Sequence, residues 1–132
     1  MQPRSDKNPT IILSSYPRSG NTLLRNYCEK ITGVYTGSDC DVKRRLNKQL
    51  FDMGMLGEGK VDKSVLVVKT HFPERMGYIG FDCTKCILIV RNPLDCMTSL
   101  FNMIATSSHS QSIEQKHLDR DDIKELWDEF IK

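Results

Sequence analysis

Residues 10–27 read Thr-Ile-Ile-Leu-Ser-Ser-Tyr-Pro-Arg-Ser-Gly-Asn-Thr-Leu-Leu-Arg-Asn-Tyr, and no other stretch restricts the fold as much. The apolar run at 11–13 suits a buried strand. Pro17 and Gly20 then punctuate a tight loop. Beyond it Leu23, Leu24, Tyr27, Cys28 and Ile31 recur at helical spacing, so a helix is expected to begin near Asn21. Strand, small-residue loop and helix in that order make an anion cradle. The first helical N–H groups lack intrahelical partners, and the helix dipole places partial positive charge there. Gly20 allows close backbone approach, Ser19 and Thr22 add hydroxyl donors, and Arg18 adds a fixed charge. The stretch reads as a phosphate- or sulfate-binding loop, with an ordinary strand-to-helix turn as the alternative. It is not the ATP-binding Gly-x-x-x-x-Gly-Lys-Ser/Thr loop, whose first Gly and Lys are both missing.

At 132 residues the chain suits one domain with a core of its own, needing neither disulfides nor metal. Its net charge of +2 makes no overall case for nucleic acid or a membrane surface. The charge is uneven: residues 4–48 are basic and 114–129 lean acidic, so a positive field near the loop would suit a small polyanion. Solvated helix faces account for Lys43 to Lys48 equally well. Five scattered cysteines do not form a secreted disulfide framework, and Cys83-x-x-Cys86, a single pair, does not argue for zinc. No N-terminal apolar segment has the length of a signal peptide or membrane span. A cytoplasmic location is expected on that basis, or a Golgi-luminal one if an anchor precedes this sequence.

Residues 1–9 read as a flexible arm, and 10–132 as one domain. After the first helix, Gly33 is a stop signal. Asp39 or Asp41 is expected to cap a second helix in which Val42, Leu46, Leu50 and Met53 share a face. Residues 53–62, with Gly54, Gly57 and Gly59, read as a mobile surface loop, and 77–82 as a connecting segment. Residues 64–69 and 86–90 are expected to be two further buried strands. Asn92, Pro93 and Asp95 then start a helix, and 105–115 read as a flexible loop. In a final helix over 121–132, Ile123, Leu126, Trp127, Phe130 and Ile131 share one face. Apolar strands separated by helical connections imply an α/β fold, a parallel sheet sandwiched between helical layers. Ligands of such sheets bind outside the carboxyl ends of the strands. Each strand delivers a polar cluster there: residues 18–22, then Lys69 and His71, then Arg91 followed by Ser99.

Tyr-Pro-Arg-Ser-Gly-Asn-Thr, Val-Val-Lys-Thr-His-Phe-Pro and Val-Arg-Asn-Pro-Leu-Asp-Cys-Met-Thr-Ser resemble, in order, three signatures of the sulfotransferases. These enzymes use 3′-phosphoadenosine-5′-phosphosulfate (PAPS) as donor, and the first segment is especially similar to the sulfotransferase module of WSC-domain proteins. The resemblance spans about residues 10–104. It implies a P-loop-like three-layer α/β topology. It also implies that Arg18, Ser19, Gly20, Asn21 and Thr22 cradle the 5′-phosphosulfate, with Arg18 joining in catalysis. His71 would be the general base with Lys69 beside it, and Arg91 and Ser99 would bind the donor's 3′-phosphate.

Sulfuryl transfer resembles phosphoryl transfer, with a loose in-line transition state stabilised mainly by positioning and charge. An imidazole, whose unperturbed pKa is about 6.5, suits removal of a proton from an acceptor hydroxyl or amine. Lys69 could neutralise charge growing on the bridging oxygen, and no metal is required. Ser99 falls two helical turns beyond Arg91, on a polar stripe, so both could reach one phosphate. Arg18 stands where many of these enzymes carry Lys, and Leu23 where a Trp often stacks on the adenine. Their C-terminal Arg-Lys-Gly-type loop has no counterpart here, and they usually run to about twice this length. The resemblance thus implies the donor-binding half of such a domain, or a shortened gene product. If the chain ends with its last helix, that helix's apolar face could drive dimerisation. The other function class is a nucleotide- or anion-binding module on the same fold, without turnover.

Overall fold

A computed structural model describes residues 1–3, 10–73 and 79–132. Part of the N-terminal arm (4–9) and residues 74–78, which include the start of the connecting segment expected over 77–82, lie outside the described residues. The chain divides into two compact units, Met1–Arg91 and Asn92–Lys132.

The first unit is built on a parallel four-stranded sheet. Its strands are β1 (Ile11–Ser15), β2 (Gly37–Ser38), β3 (Val68–His71) and β4 (Lys85–Ile89), in the spatial order β2-β3-β1-β4. Helices α1 (Asn21–Thr32) and α2 (Arg45–Asp52) occupy the connections. From β1 the chain runs to one side of the sheet for β2 and β3, then crosses to the other side for β4. The carboxyl end of β1 is therefore the point where the strand order reverses, the place where open α/β sheets bind ligands. Register fixes what meets there: Ser15 pairs with His71 on one side and with Ile89 on the other.

Several elements differ from expectation. The two-residue strand β2 reads in sequence as loop, being too short to carry a pattern. The second expected strand is displaced toward the C-terminus. Asp62 draws 62–65 into a turn by accepting the Ser64 amide on its side chain and the Val65 amide on its carbonyl. Val65, Val67 and Val68 are nonetheless buried, and the shift brings His71 into the strand itself. The third strand is where expected but is not buried; Leu88 at the sheet edge is 66 % exposed.

Helix α1 starts and stops where the sequence indicates, with Gly20 and Gly33 as its left-handed caps. Its faces are reversed. The inward residues are Asn21, Arg25 and Glu29, spaced four apart, whereas Leu23 and Ile31 are 59 % and 82 % exposed. Neither Asp39 nor Asp41 caps α2, which begins at Arg44 without a side-chain cap. Asp41 instead accepts the Lys43 amide at 2.8 Å, closing a local turn. Asp39 is drawn to β3, where its carboxylate accepts the Thr70 hydroxyl at 2.6 Å. Of the expected α2 face, Leu50 is buried and Met53 is exposed.

Residues 53–62 are not a surface loop throughout, because Met55, Gly57 and Glu58 are buried. Glycine is required on both sides of this contact. A Cβ on Gly57 would collide with the Thr36 carbonyl, and one on Gly37 with the Lys60 carbonyl. The close approach brings Glu58 onto Arg25.

In the second unit, α3 (Pro93–Thr106) begins as the sequence indicates. The Asn92 side chain accepts the Leu94 amide at 3.0 Å, Pro93 is first in the helix, and Asp95 lies in the first turn. Part of the expected loop after it is ordered: α3 runs on to Thr106, and Asn102 accepts the Ile113 amide at 2.8 Å. A 3-10 turn at Gln115–His117 precedes α4 (Asp121–Phe130). Phe101 meets Trp127 edge-to-face, ring centroids 4.9 Å apart, and Phe130 closes the cluster at 5.6 Å. The apolar stripe of α4 is thus packed against α3.

Candidate functional site

The loop between β1 and α1 turns at Tyr16, whose carbonyl accepts the Ser19 amide at 3.2 Å. Arg18 takes φ +68°, a left-handed conformation that costs a non-glycine residue about 1–2 kcal/mol. Such strain persists where surrounding contacts enforce it. Here the contact comes from the third motif: Arg91 Nη1 donates to the Arg18 carbonyl at 3.0 Å. The first and third motifs therefore meet at the turn. Burial, and after it the adjacent Arg91 charge, hold the Arg18 guanidinium below its ordinary pKa.

Gly20 caps α1 with φ +101°, and a Cβ there would meet none of the described residues within 4 Å. No side chain caps the helix start. The first-turn amides of α1 lack intrahelical partners, and with the positive end of the helix dipole and the open space over Gly20 they suit an anionic group. Ser19 and Asn21 are buried and Thr22 is half-buried.

The second motif arrives through β3. His71 Nδ1 lies 3.1 Å from the Ser15 carbonyl and 3.2 Å from the Ser15 hydroxyl. The ring is thus fastened to the end of β1 immediately before the turn. Lys69 sits two residues deeper on the same strand and is only 5 % exposed. Burial pushes its pKa down, an effect the Glu58 charge opposes and the Arg25 charge reinforces. Lys69 and His71, two apart on one strand, share a face of the sheet, and Lys69 also feels the buried charges of Glu58 and Arg25.

Residues of the first unit collected around the carboxyl end of β1 are Arg18, Ser19, Gly20, Asn21, Thr22, His71 and Arg91. Ser99 belongs to the second unit, on α3. Sequence reasoning missed Ser15, the partner of His71. Its only signal was the pair Ser14-Ser15 closing an otherwise apolar strand. It also gave Asn21 no side-chain task beyond the loop, although its Nδ2 donates to Ser15 Oγ at 3.0 Å and to the Leu13 carbonyl at 3.2 Å.

The buried cluster beneath the site was equally unforeseen. Arg25 pairs with Glu58 through Nη1 and donates to Thr36 from Nε at 2.9 Å and from Nη2 at 3.1 Å. Glu29 in turn accepts the Thr36 hydroxyl at 2.6 Å and its amide at 2.8 Å. This network ties the inward face of α1 to Thr36, just before β2, and to Glu58 of the 53–62 segment.

Comparison with known sequences fits this arrangement. The model of the family described as "Sulfotransferase domain" matches residues 8–132. The chain belongs to this sulfotransferase family. A WSCD family member of Drosophila melanogaster is 37 % identical over 90 residues, covering 68 % of this chain and 26 % of the fly protein. Another, of Aedes aegypti, is 36 % identical over 103 residues, covering 76 % of this chain and 30 % of the mosquito protein. This sulfotransferase-family chain thus spans less than a third of the length of these relatives. No solved structure matches it. Among the described residues, no helix is long and apolar enough to cross a membrane.

Proposed function

We propose that the chain binds 3′-phosphoadenosine-5′-phosphosulfate and transfers its sulfuryl group to a hydroxyl or amine acceptor, with His71 as the general base. One observation carries the reading: both Arg91 of the third motif and His71 of the second are hydrogen-bonded to the segment 15–18 that carries the first. Three pieces of chain distant in sequence thus meet at one strand end. The loop around Gly20 offers what the donor's 5′-phosphosulfate needs, namely the amides of residues 19–22, the hydroxyls of Ser19 and Thr22 and the guanidinium of Arg18.

In the proposed step the acceptor oxygen or nitrogen forms its bond to sulfur while the bond from sulfur to the 5′-phosphate oxygen breaks. The bonding pair leaves on that phosphate oxygen, where Arg18 and the loop amides stabilise the growing charge. His71 takes the acceptor's proton. In comparable sites each such donor contributes roughly 10²–10³ in rate and a positioned base roughly 10²–10⁴. Arg91, joined by Ser99, is assigned to the 3′-phosphate. Lys69, two residues before His71 on β3, is assigned to the charge that grows on the bridging oxygen.

Incubating the chain with ³⁵S-labelled donor and a panel of phenols, sugars and tyrosine peptides tests this. Sulfated product that disappears in His71→Ala is expected. Donor binding without turnover, unchanged by that substitution, would instead identify a nucleotide-binding module.

A further inference from the structure

We propose that Ser15 and Asn21 are positioning residues that set the tautomer of His71, leaving Nε2 as the basic nitrogen; this rests on reading His71 as the proton acceptor. The argument starts from which atoms can only accept. The Ser15 backbone oxygen, 3.1 Å from His71 Nδ1, has no proton to give, so Nδ1 must carry the hydrogen that joins them. In the neutral ring the lone pair then resides on Nε2. The Ser15 hydroxyl, 3.2 Å from the same nitrogen, provides a second acceptor for the same N–H.

Ser15 does not hold this pose unaided. Asn21 Nδ2 donates to its hydroxyl at 3.0 Å and to the Leu13 carbonyl at 3.2 Å, with the Thr70 carbonyl at 3.5 Å. Two of these three acceptors are carbonyls, which fixes the amide orientation: the nitrogen faces the sheet. Asn21 is the first residue of α1, yet its side chain does not cap the helix. It is turned inward and bolts the helix start to the ends of β1 and β3. Its own Oδ1 is buried without a hydrogen-bond partner among the described residues, a cost of about 1–3 kcal/mol for a side chain of this kind. A buried amide that leaves its oxygen unsatisfied while its nitrogen serves three acceptors is positioned for the sake of the nitrogen. The chain of contacts Asn21–Ser15–His71 therefore links the anion loop to the base, through the strand end that both share.

The decisive readout is the tautomer, measured by long-range ¹⁵N–¹H correlation on histidine-labelled chain above the titration range of the rings. The His71 signals are assigned by their loss in His71→Ala. In the wild-type chain the hydrogen is expected on Nδ1. In Asn21→Ala, and more weakly in Ser15→Ala, the ring is expected to shift toward the Nε2–H form. In turnover, Asn21→Ala is expected to lower kcat roughly 10–100-fold with a smaller change in KM for the donor, and Ser15→Ala a few-fold. Ser15→Ala, which lies outside the donor loop, should not reduce the residual rate of His71→Ala further. A wild-type ring protonated on Nε2, or a tautomer unchanged in both variants, overturns the proposal. If Asn21→Ala does not fold, the wild-type tautomer and Ser15→Ala still decide it. A tautomer that behaves as expected in a chain that sulfates nothing would uphold the positioning and reject sulfuryl transfer. Turnover dependent on His71 with an indifferent tautomer would do the reverse.

Discussion

Helices α1 and α4 are both amphipathic, and they use their faces in opposite ways. In α4 the apolar stripe packs, Trp127 and Phe130 closing on Phe101 of α3. In α1 the apolar stripe faces outward, and the buried residues are Asn21, Arg25 and Glu29. A helical period tells that a helix has two faces; it does not tell which one is inside when the polar face finds buried partners. For α1 those partners are Thr36 and Glu58, 11 and 33 residues away from Arg25. No local pattern reports them.

The largest expected effect tests the polar interior directly. Arg25→Ala strands Glu58 as a buried, unpaired charge and should cost about 3–5 kcal/mol in urea denaturation. The double change Arg25→Met with Glu58→Leu should recover most of it, because two apolar side chains leave no orphaned charge. If Arg25→Ala costs no more than an ordinary surface change, the reversed face of α1 is wrong. On the other side of the comparison, Trp127→Ala removes the centre of the aromatic cluster. It is expected to cost about 3 kcal/mol, the low end for such a truncation because the side chain is only half-buried.

Gly57→Ala sharpens the comparison at the loop that delivers Glu58. Its methyl would run into the Thr36 carbonyl, and a loss of about 2 kcal/mol is expected from overpacking. An unchanged denaturation midpoint would mean that residues 53–62 do not press on β2 as described.

Asp39 offers a pH test of the same polar interior. Burial is the main influence on its carboxyl and raises the pKa above the usual aspartate value, against the lowering effect of the Thr70 hydroxyl. A carboxyl raised in the folded state favours folding below its unfolded pKa and loses that contribution as pH rises through the folded value. Asp39→Asn should therefore gain stability relative to wild type as pH increases across the carboxylate range, measured as the difference between the two denaturation curves. A difference that stays flat or runs the other way contradicts the burial. Smallest of all, Leu23→Gln on the outward stripe of α1 should change stability by no more than about 0.5 kcal/mol. A loss of several kcal/mol would show that this stripe is packed after all.

Much of the site was legible because turn chemistry is local. Pro17, Gly20 and the apolar run before them announce a strand, a turn and a helix start. Asn92 and Pro93 announce the next helix in the same way. Placement on one rim followed from the parallel-sheet rule, and register then set His71 opposite Ser15. What stayed hidden depends on distant backbone. The glycines of 53–62 read as surface punctuation, whereas Gly57 and Gly37 are there to let two strands of chain touch. Lys69 read as a rim residue beside His71; that it is also buried and feels the charges of Glu58 and Arg25 depends on residues distant in sequence. Apolar content alone marked 86–90 as buried, although β4 is the edge of the sheet.

The central claim is that the loop after β1 and the residues tied to it form the donor site. A crystal structure of the chain soaked with adenosine 3′,5′-bisphosphate tests it most directly. The account predicts the 5′-phosphate against the backbone of residues 19–22 with Arg18 beside it, and the 3′-phosphate on Arg91 and Ser99. A nucleotide bound elsewhere, or phosphates that leave the turn at Gly20 untouched, would contradict it.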